Sequence, residues 1–518
     1  MTRTNLRVDP DRLWATIHET AVFGGTPKGG VRRLALSEED RLVRDWFAAA
    51  VRDAGLDLAI DRMGTMYATR PGRDMSRPPI AFGSHLDTQP TGGKFDGVLG
   101  VLAGLEVMRL LDEAGLETEA PLVLVNWTNE EGARFAPGMI ASGVYAGELD
   151  LDWALDRRDR DGIRFADALD AIGYRGEEPV GARRFGAMVE LHIEQGPILE
   201  AERRTIGVVT AAKGSVWCDG RIVGRESHAG STPMAMRRDA LPAFAELALA
   251  LEAIALEHGP DGVGTIGVVE ALPASRNTIP GEIRFTLEYR HPEAGPLKAM
   301  GEAVDAVAAA IAERRGVTIG LERIWNQPPV HFDPRIAGAV ETAATELGLP
   351  NRRITSGAGH DAVLTAAVTP TAMIFVPCRD GISHNETESA TKEDCAAGAD
   401  VLLRTVVALA NAEKPTVDWT ERVRRVIEHL YSRERVYDRI EILALVDDLV
   451  RGREARRDEL AGRHGADFVT VALGHVTAAI HGKGPVPTSG GWYRLTERDT
   501  YQVEPGFAEA WRSRRRLS

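Results

Sequence analysis

The chain has 518 residues, enough for several domains, with an ordinary 44% hydrophobic share and a net charge of −14. That acidity argues against nucleic acid as the main partner, which needs a basic patch, yet leaves room for anionic small molecules in a locally positive pocket. Three cysteines, Cys218, Cys378 and Cys395, with no CxxC spacing, speak against both a disulfide framework and a thiolate zinc site.

The opening MTRTNLRVDPDRLW has no apolar run behind its charges, so no secretory signal is expected. No run of ~18 apolar residues could span a bilayer. The expected address is the cytoplasm, with no membrane partner.

The first clear helix follows Ser37, where Asp40 three residues on makes a capping-box pattern. Leu42, Val43, Trp46, Phe47, Ala50 and Val51 then recur at helical spacing, and Gly55 closes the run. Pro79–Phe82 is a short apolar strand leading into Gly83-Ser84-His85. A helix is expected between Val98 and Leu111. Leu122–Val125 is a second strand, running into Asn129-Glu130-Glu131. Met188–Leu191 is a third, with His192 behind it, and Met373–Val376 a fourth, with His384 beyond it. Polar clusters at the ends of buried strands are where open α/β sheets place ligand sites.

Residues 212–328 read differently. Strand-like segments (Ser215–Val223, Gly264–Glu270, Glu282–Arg290) alternate with two long helical patterns, Asp239–Glu257 and Pro296–Arg315. That mixture predicts an α+β domain inserted into the first, which would occupy 1–211 and resume over 329–412. Glu413-Lys414-Pro415 reads as a linker. The tail, 415–518, carries 18 Lys/Arg against 16 Asp/Glu, opposite in sign to the rest. It is expected to form a separate C-terminal module of two or three helices and a Gly/Pro-rich piece, of unknown role. His475, His481, Trp492 and Tyr493 within it read as packing and surface residues.

The chemistry lies in scattered pieces: His85-Leu86-Asp87, Asp96, Glu130-Glu131, His192 and His384. Each alone is commonplace, since an HxD is often incidental and a Glu pair is usually a solvated helix face. Together they place imidazoles and carboxylates next to or within apolar strands, where an unpartnered charge would be costly. Such ligands suit Zn, Mn, Ni or Co. An aspartate can bridge two divalent ions, and the water between them can be activated while a carbonyl is polarised.

These pieces are set in longer text: GSHLDTQPTGGKFDG from Gly83 to Gly97, NEEGARF from Asn129, LHIEQGP from Leu191, SHAG from Ser227, GAGHDA from Gly357 and DGISHN from Asp380. In this order, over about residues 20–410, the chain resembles the M20-type metallohydrolases, and within them the hydantoinase/carbamoylase amidases. That group includes N-carbamoyl-L-amino-acid hydrolases, β-ureidopropionases and allantoate amidohydrolases. The resemblance implies an α/β fold: a catalytic domain for two metals with a mixed sheet flanked by helices, plus an inserted α+β domain for dimerisation or as a lid. It implies a homodimer through that domain.

The resemblance also implies roles. Asp96 would bridge the metals, with His85, His192, Glu131 and His384 as the other ligands. His192 would serve the metal opposite His85's, and Glu131 and His384 would share the other. Glu130 would be the general base, and Asp87 would orient His85 by accepting its second N–H. His228 would stabilise the oxyanion formed at the attacked carbonyl. Arg290 would hold a substrate carboxylate, with Asn277, Gln195, Gly359 and His360 lining the pocket. Two departures stand out: Glu288 where an aspartate is frequent, and Glu386 where proline is expected. The implied activity is hydrolysis of the ureido C–N bond of N-carbamoyl amino acids. Allantoate hydrolysis, N-acyl-amino-acid hydrolysis or dipeptidase action, and a metal-free scaffold are the alternatives.

Overall fold

The computed structural model describes residues 6–412. In the tail it describes three short antiparallel strands, Glu454–Arg456, Tyr493–Leu495 and Thr500–Val503, and single helical positions at Val446 and Trp511. The helices expected in the tail, and His475, His481 and Trp492, lie outside the described residues.

The expected mixed α/β architecture is what forms. Its centre is a sheet of nine strands. Four of these run parallel side by side in the order Leu122–Trp127, Ile80–His85, Ala187–Ile193 and Thr371–Val376. Antiparallel strands extend it on both flanks: Met66–Arg70 and Asp57–Ile60 on one, Ile206–Ala212 and Val330–His331 on the other, with Asn351–Ser356 beside Ile206–Ala212. The parallel strands are buried on both faces, which is why they read as continuous apolar runs in the sequence. Alternate side chains divide between two cores. Leu122 and Leu124 join the main core with the helices, whereas Val123, Val125 and Trp127 pack with Tyr67, Tyr145 and Phe185 on the opposite face. Each such large apolar side chain contributes about 1.5–3 kcal/mol when fully buried.

Helix Val98–Glu113 packs beneath the site strands and is buried along nearly its whole length. Its buried carboxylate, Glu106, is paired with Arg12 at 2.7 Å from helix Pro10–Thr20. Helix Glu38–Asp53 starts at Ser37 as expected, with Ser37 Oγ accepting the Asp40 N–H. The returning bond goes one residue further back, from the Leu36 N–H to Asp40 Oδ2 at 2.7 Å. Asp40 is buried, and its Oδ2 also pairs with buried Arg44 at 2.9 Å. Removing one partner of such a buried pair costs about 3–5 kcal/mol.

A second sheet spans Gly214–Gln327 in the order Val269–Leu272, Glu282–His291, Gly214–Val223, Thr318–Gln327. All its pairings are antiparallel. Ile283, Phe285, Leu287 and Tyr289 alternate inward against helices Ala240–Glu257 and Ala294–Arg315, leaving the other face open. The single strand expected over Gly264–Glu270 is instead two, Val263–Thr265 and Val269–Leu272. The break is at Val268, whose N–H is taken by the Thr286 hydroxyl while its carbonyl accepts the Thr286 N–H.

Candidate metal centre and active site

The four parallel strands end together, and their carboxyl ends build the site. His85 is the last residue of its strand and His192 the last but one of its own. Both rings are tied by Nδ1 to a main-chain carbonyl at 2.9 Å, His85 to Asp87 and His192 to Ile193. With Nδ1 donating, each Nε2 keeps a lone pair, and both face Asp96 Oδ1: His192 at 3.1 Å and His85 at 3.7 Å. His384 Nε2 lies 3.4 Å from the other oxygen, Oδ2, and 3.5 Å from Glu131. Asp96 thus stands between two groups able to hold a metal, His85–Asp96–His192 and Asp96–Glu131–His384. This corrects the division expected above: His192 shares its side of Asp96 with His85, because their strands are adjacent and parallel.

The donor set fits divalent cations. Four groups converge around one aspartate, the His85 and His192 tautomers are set by the main chain, and the acids around them are buried together. Burial works against Asp96's charge, but His192, His384 and His85 outweigh it and hold the carboxyl well below its usual range. Glu130 and Glu131 go the other way. Burial first, then Asp361 and Glu131 for Glu130, and Asp96 and Asp87 for Glu131, push both carboxyls far up. Crowded carboxylates of this kind are what a bound cation would relieve.

Glu130 reaches to 3.5 Å from His85 Nε2, at the edge of the cluster. It is held by its main chain. Asp87 accepts the Glu130 N–H with one oxygen and the Glu131 N–H with the other, both at 3.3 Å. The expected bond from His85 to the Asp87 carboxylate is not made; Nδ1 is 3.8 Å from it and takes the Asp87 carbonyl. Asp87 therefore orients the histidine through its main chain and the glutamate pair through its side chain. Gly97 is required by close approach: with φ of 66°, an added Cβ would fall 2.2 Å from the His85 ring. Asn129, Gln195 and His384 all have left-handed backbones, with φ of 60°, 57° and 54°. Strain held at three non-glycine residues in one site marks a surrounding structure that over-determines them.

Other residues were not legible in the sequence. Glu388 is buried and accepts the N–H groups of Phe95 and Asp96 at 3.0 and 3.1 Å. Ser383 donates to Asp96 Oδ2 at 2.7 Å and lies 3.1 Å from Glu388. Gln89 donates to Glu131 at 2.7 Å. The one available signal for Glu388 was its place four residues after His384, an acid in a loop that carries a ligand.

A cavity of about 440 Å³ opens over the cluster, walled by both sheets. Gln195, Gly359, His360 and Arg290 line it, as expected. Gln195 turns its amide to Asp96 Oδ2 at 2.8 Å. His360 is buried edge-on to His192, hydrogen-bonded to Ser356, and kept neutral chiefly by burial. Arg290 donates to the Gly357 carbonyl and to Glu288, at 2.9 and 2.8 Å. Glu386 points away, to Thr26 and Lys28. His228 and Asn277 are brought beside each other on a two-rung ladder, Ser227–His228 with Thr278–Ile279, but both are exposed and neither lines this cavity. His228 Nδ1 accepts the N–H groups of Gly230 and Ser231, which leaves Nε2–H as an outward donor. A shallower groove of about 550 Å³, further along the inserted sheet at Gly220, Arg284 and Leu321, carries none of the ligand groups. Among the described residues no helix is long and apolar enough to cross a membrane.

The model of the family described as Peptidase family M20/M25/M40 matches residues 81–408. An N-carbamoyl-L-amino-acid amidohydrolase from Rhizobium meliloti is 48% identical over 406 residues, 78% of this chain and 98% of that protein. One from Geobacillus stearothermophilus is 40% identical over 410 residues, 78% of this chain and all of its own. Among solved structures, an amidase of the hydantoinase/carbamoylase family from Burkholderia multivorans is 49% identical with a TM-score of 0.77, covering 79% of this chain and 99% of its own.

Proposed function

The chain belongs to the M20/M25/M40 peptidase family, among its hydantoinase/carbamoylase amidases, and from that premise we propose that it hydrolyses the ureido C–N bond of N-carbamoyl-L-amino acids. It is an amidohydrolase of non-peptide C–N bonds. The observation that carries the substrate reading is Arg290 in the wall of the cavity whose floor is the Asp96 cluster with Glu130 at its edge.

Two divalent ions, Zn, Mn, Ni or Co, would be held by His85, His192, Glu131 and His384 about a shared Asp96, and would polarise the urea-like carbonyl and acidify the attacking water. That help matters because two nitrogens donate into the carbonyl. Glu130 takes the water's proton as the new C–O bond forms. It then delivers that proton to the departing nitrogen as the C–N bond breaks. The carbamate decomposes to carbon dioxide, so ammonia and the free amino acid are the other products. Arg290 holds the α-carboxylate through its remaining donors, while Glu288 and the Gly357 carbonyl keep the guanidinium in place.

His228 supplies the outward Nε2–H for the oxyanion. Lying outside the cavity of its own chain, it must arrive by closure of the inserted domain or from a second copy. Residues 1–211 and 329–412 form the catalytic domain, 212–328 the domain through which a homodimer forms, and 415–518 an extension. The site of action is the cytoplasm.

The test is ammonia release by the Mn- or Zn-loaded protein, with and without chelator. N-carbamoyl-L-amino acids, N-carbamoyl-β-alanine, allantoate and N-acetyl amino acids are the substrates. Chelator-sensitive turnover of N-carbamoyl-L-amino acids is expected. Turnover of the acetylated set alone would overturn the reading.

A further inference from the structure

The inserted sheet turns an organised surface to the cavity, and strand register determines it. Helices cover the face of Gly214–Val223 that carries Val216, Cys218 and Ile222. Ser215 and Trp217 therefore project from the opposite face, and Lys213, two residues before Ser215, has the same parity. Across the ladders, Ser215 stands opposite Arg290 on one neighbour and Gln327 on the other. Trp217 stands opposite Glu288 and Trp325. The cavity wall thus has a polar row, Arg290–Ser215–Gln327, with the tryptophans one row behind it and Lys213, in the one-residue link before the strand, on its other side.

The charges in this wall do not balance. Arg290 is paired with Glu288 at 2.8 Å. The Trp325 indole N–H is given to Ser215 Oγ at 3.2 Å. Lys213 is half-buried in the wall, and no hydrogen bond or ion pair of its ammonium occurs among the described residues. Burial above all disfavours its charged form; Asp261 attracts it and the like charge of Arg290 repels it more weakly. A partly desolvated ammonium facing a ligand cavity is stabilised by an anion that enters with the ligand. An N-carbamoyl amino acid with a neutral side chain brings one carboxylate, which Arg290 takes.

We propose that Lys213 receives a second carboxylate, so that the substrate class is the N-carbamoyl derivatives of acidic amino acids. This rests on the carbamoylase reading above. The α-carboxylate lies on the Arg290–Ser215–Gln327 row. The side chain runs toward Lys213, which lines the same cavity.

The experiment compares kcat/KM of the metal-loaded full chain for N-carbamoyl-L-glutamate and N-carbamoyl-L-aspartate with N-carbamoyl-L-glutamine and N-carbamoyl-L-methionine. The acidic pair is expected to be favoured at least tenfold. In Lys213→Met the ratio of glutamate to methionine derivative should fall at least tenfold. Independently of any variant, L-glutamate should inhibit the wild-type enzyme at concentrations at least tenfold below those of L-glutamine. Equal or better use of the methionine derivative by the wild type, or an unchanged ratio in Lys213→Met, overturns the proposal and leaves the carbamoylase reading intact. Turnover of acetylated amino acids alone overturns both.

Discussion

The floor and the wall of the cavity are built in opposite ways. On the floor, Asp96 alone is met by His192, His384, Gln195 and Ser383, and its main chain by Glu388. Three residues there hold left-handed backbones that only a rigid surround would keep. In the wall, Trp217 is 42% exposed and lies tilted against Trp325, at 6.0 Å between ring centroids. Lys213 touches no anion among the described residues. Chemistry that must position a water to a fraction of an ångström sits where the bridging carboxylate is held from several sides. Choice among side chains sits where a residue can be exchanged without disturbing the sheet beneath it.

Substitutions can break that comparison. Asp96→Asn should have the largest effect: both ligand groups share this carboxylate, so metal content after dialysis should collapse with activity. Retention of a full metal complement would mean the two groups are independent. Glu130→Gln should lower kcat by about 10²–10⁴-fold. Its metal content should stay unchanged, because Glu130 belongs to neither ligand group. Near-normal turnover would remove Glu130 as the base.

Smaller effects sharpen it. Glu388→Gln keeps the shape but weakens acceptance of the Phe95 and Asp96 N–H groups. It should cost about 10–100-fold in metal affinity, read by competition with a chromogenic chelator. If kcat fell with metal affinity untouched, Glu388 would not act through Asp96. Trp217→Ala should be mildest. Melting should show a change within about 0.5 kcal/mol, as for an exposed residue. The order of preference among N-carbamoyl amino acids should nonetheless alter. An unchanged order would show that the wall is passive.

The difference in construction also governs what could be read in advance. His85, Glu130, Glu131, His192 and His384 were legible because each lies within or beyond an apolar strand, where a buried charge demands a partner, and Asp96 through the longer text from Gly83 to Gly97. Glu388 was not, because it reaches main-chain amides nearly 300 positions away. Asp87 was legible as a supporting residue but not in its manner of support. The choice between its carbonyl and carboxylate depends on how the strand end turns toward the Glu130 loop.

By itself, then, the amino-acid sequence determined the parallel strands, the helices that cover them and the set of groups able to bind metal. Hydrophobic period and local charge express these directly. Tertiary structure alone decided which histidine shares which oxygen of Asp96, that Arg290 is clamped by Glu288, and that His228 stands clear of its own cavity. It also decided that Lys213 opens on the same space as Arg290. Those facts follow from strand order and register, which join residues far apart in the chain and leave no periodic trace in it.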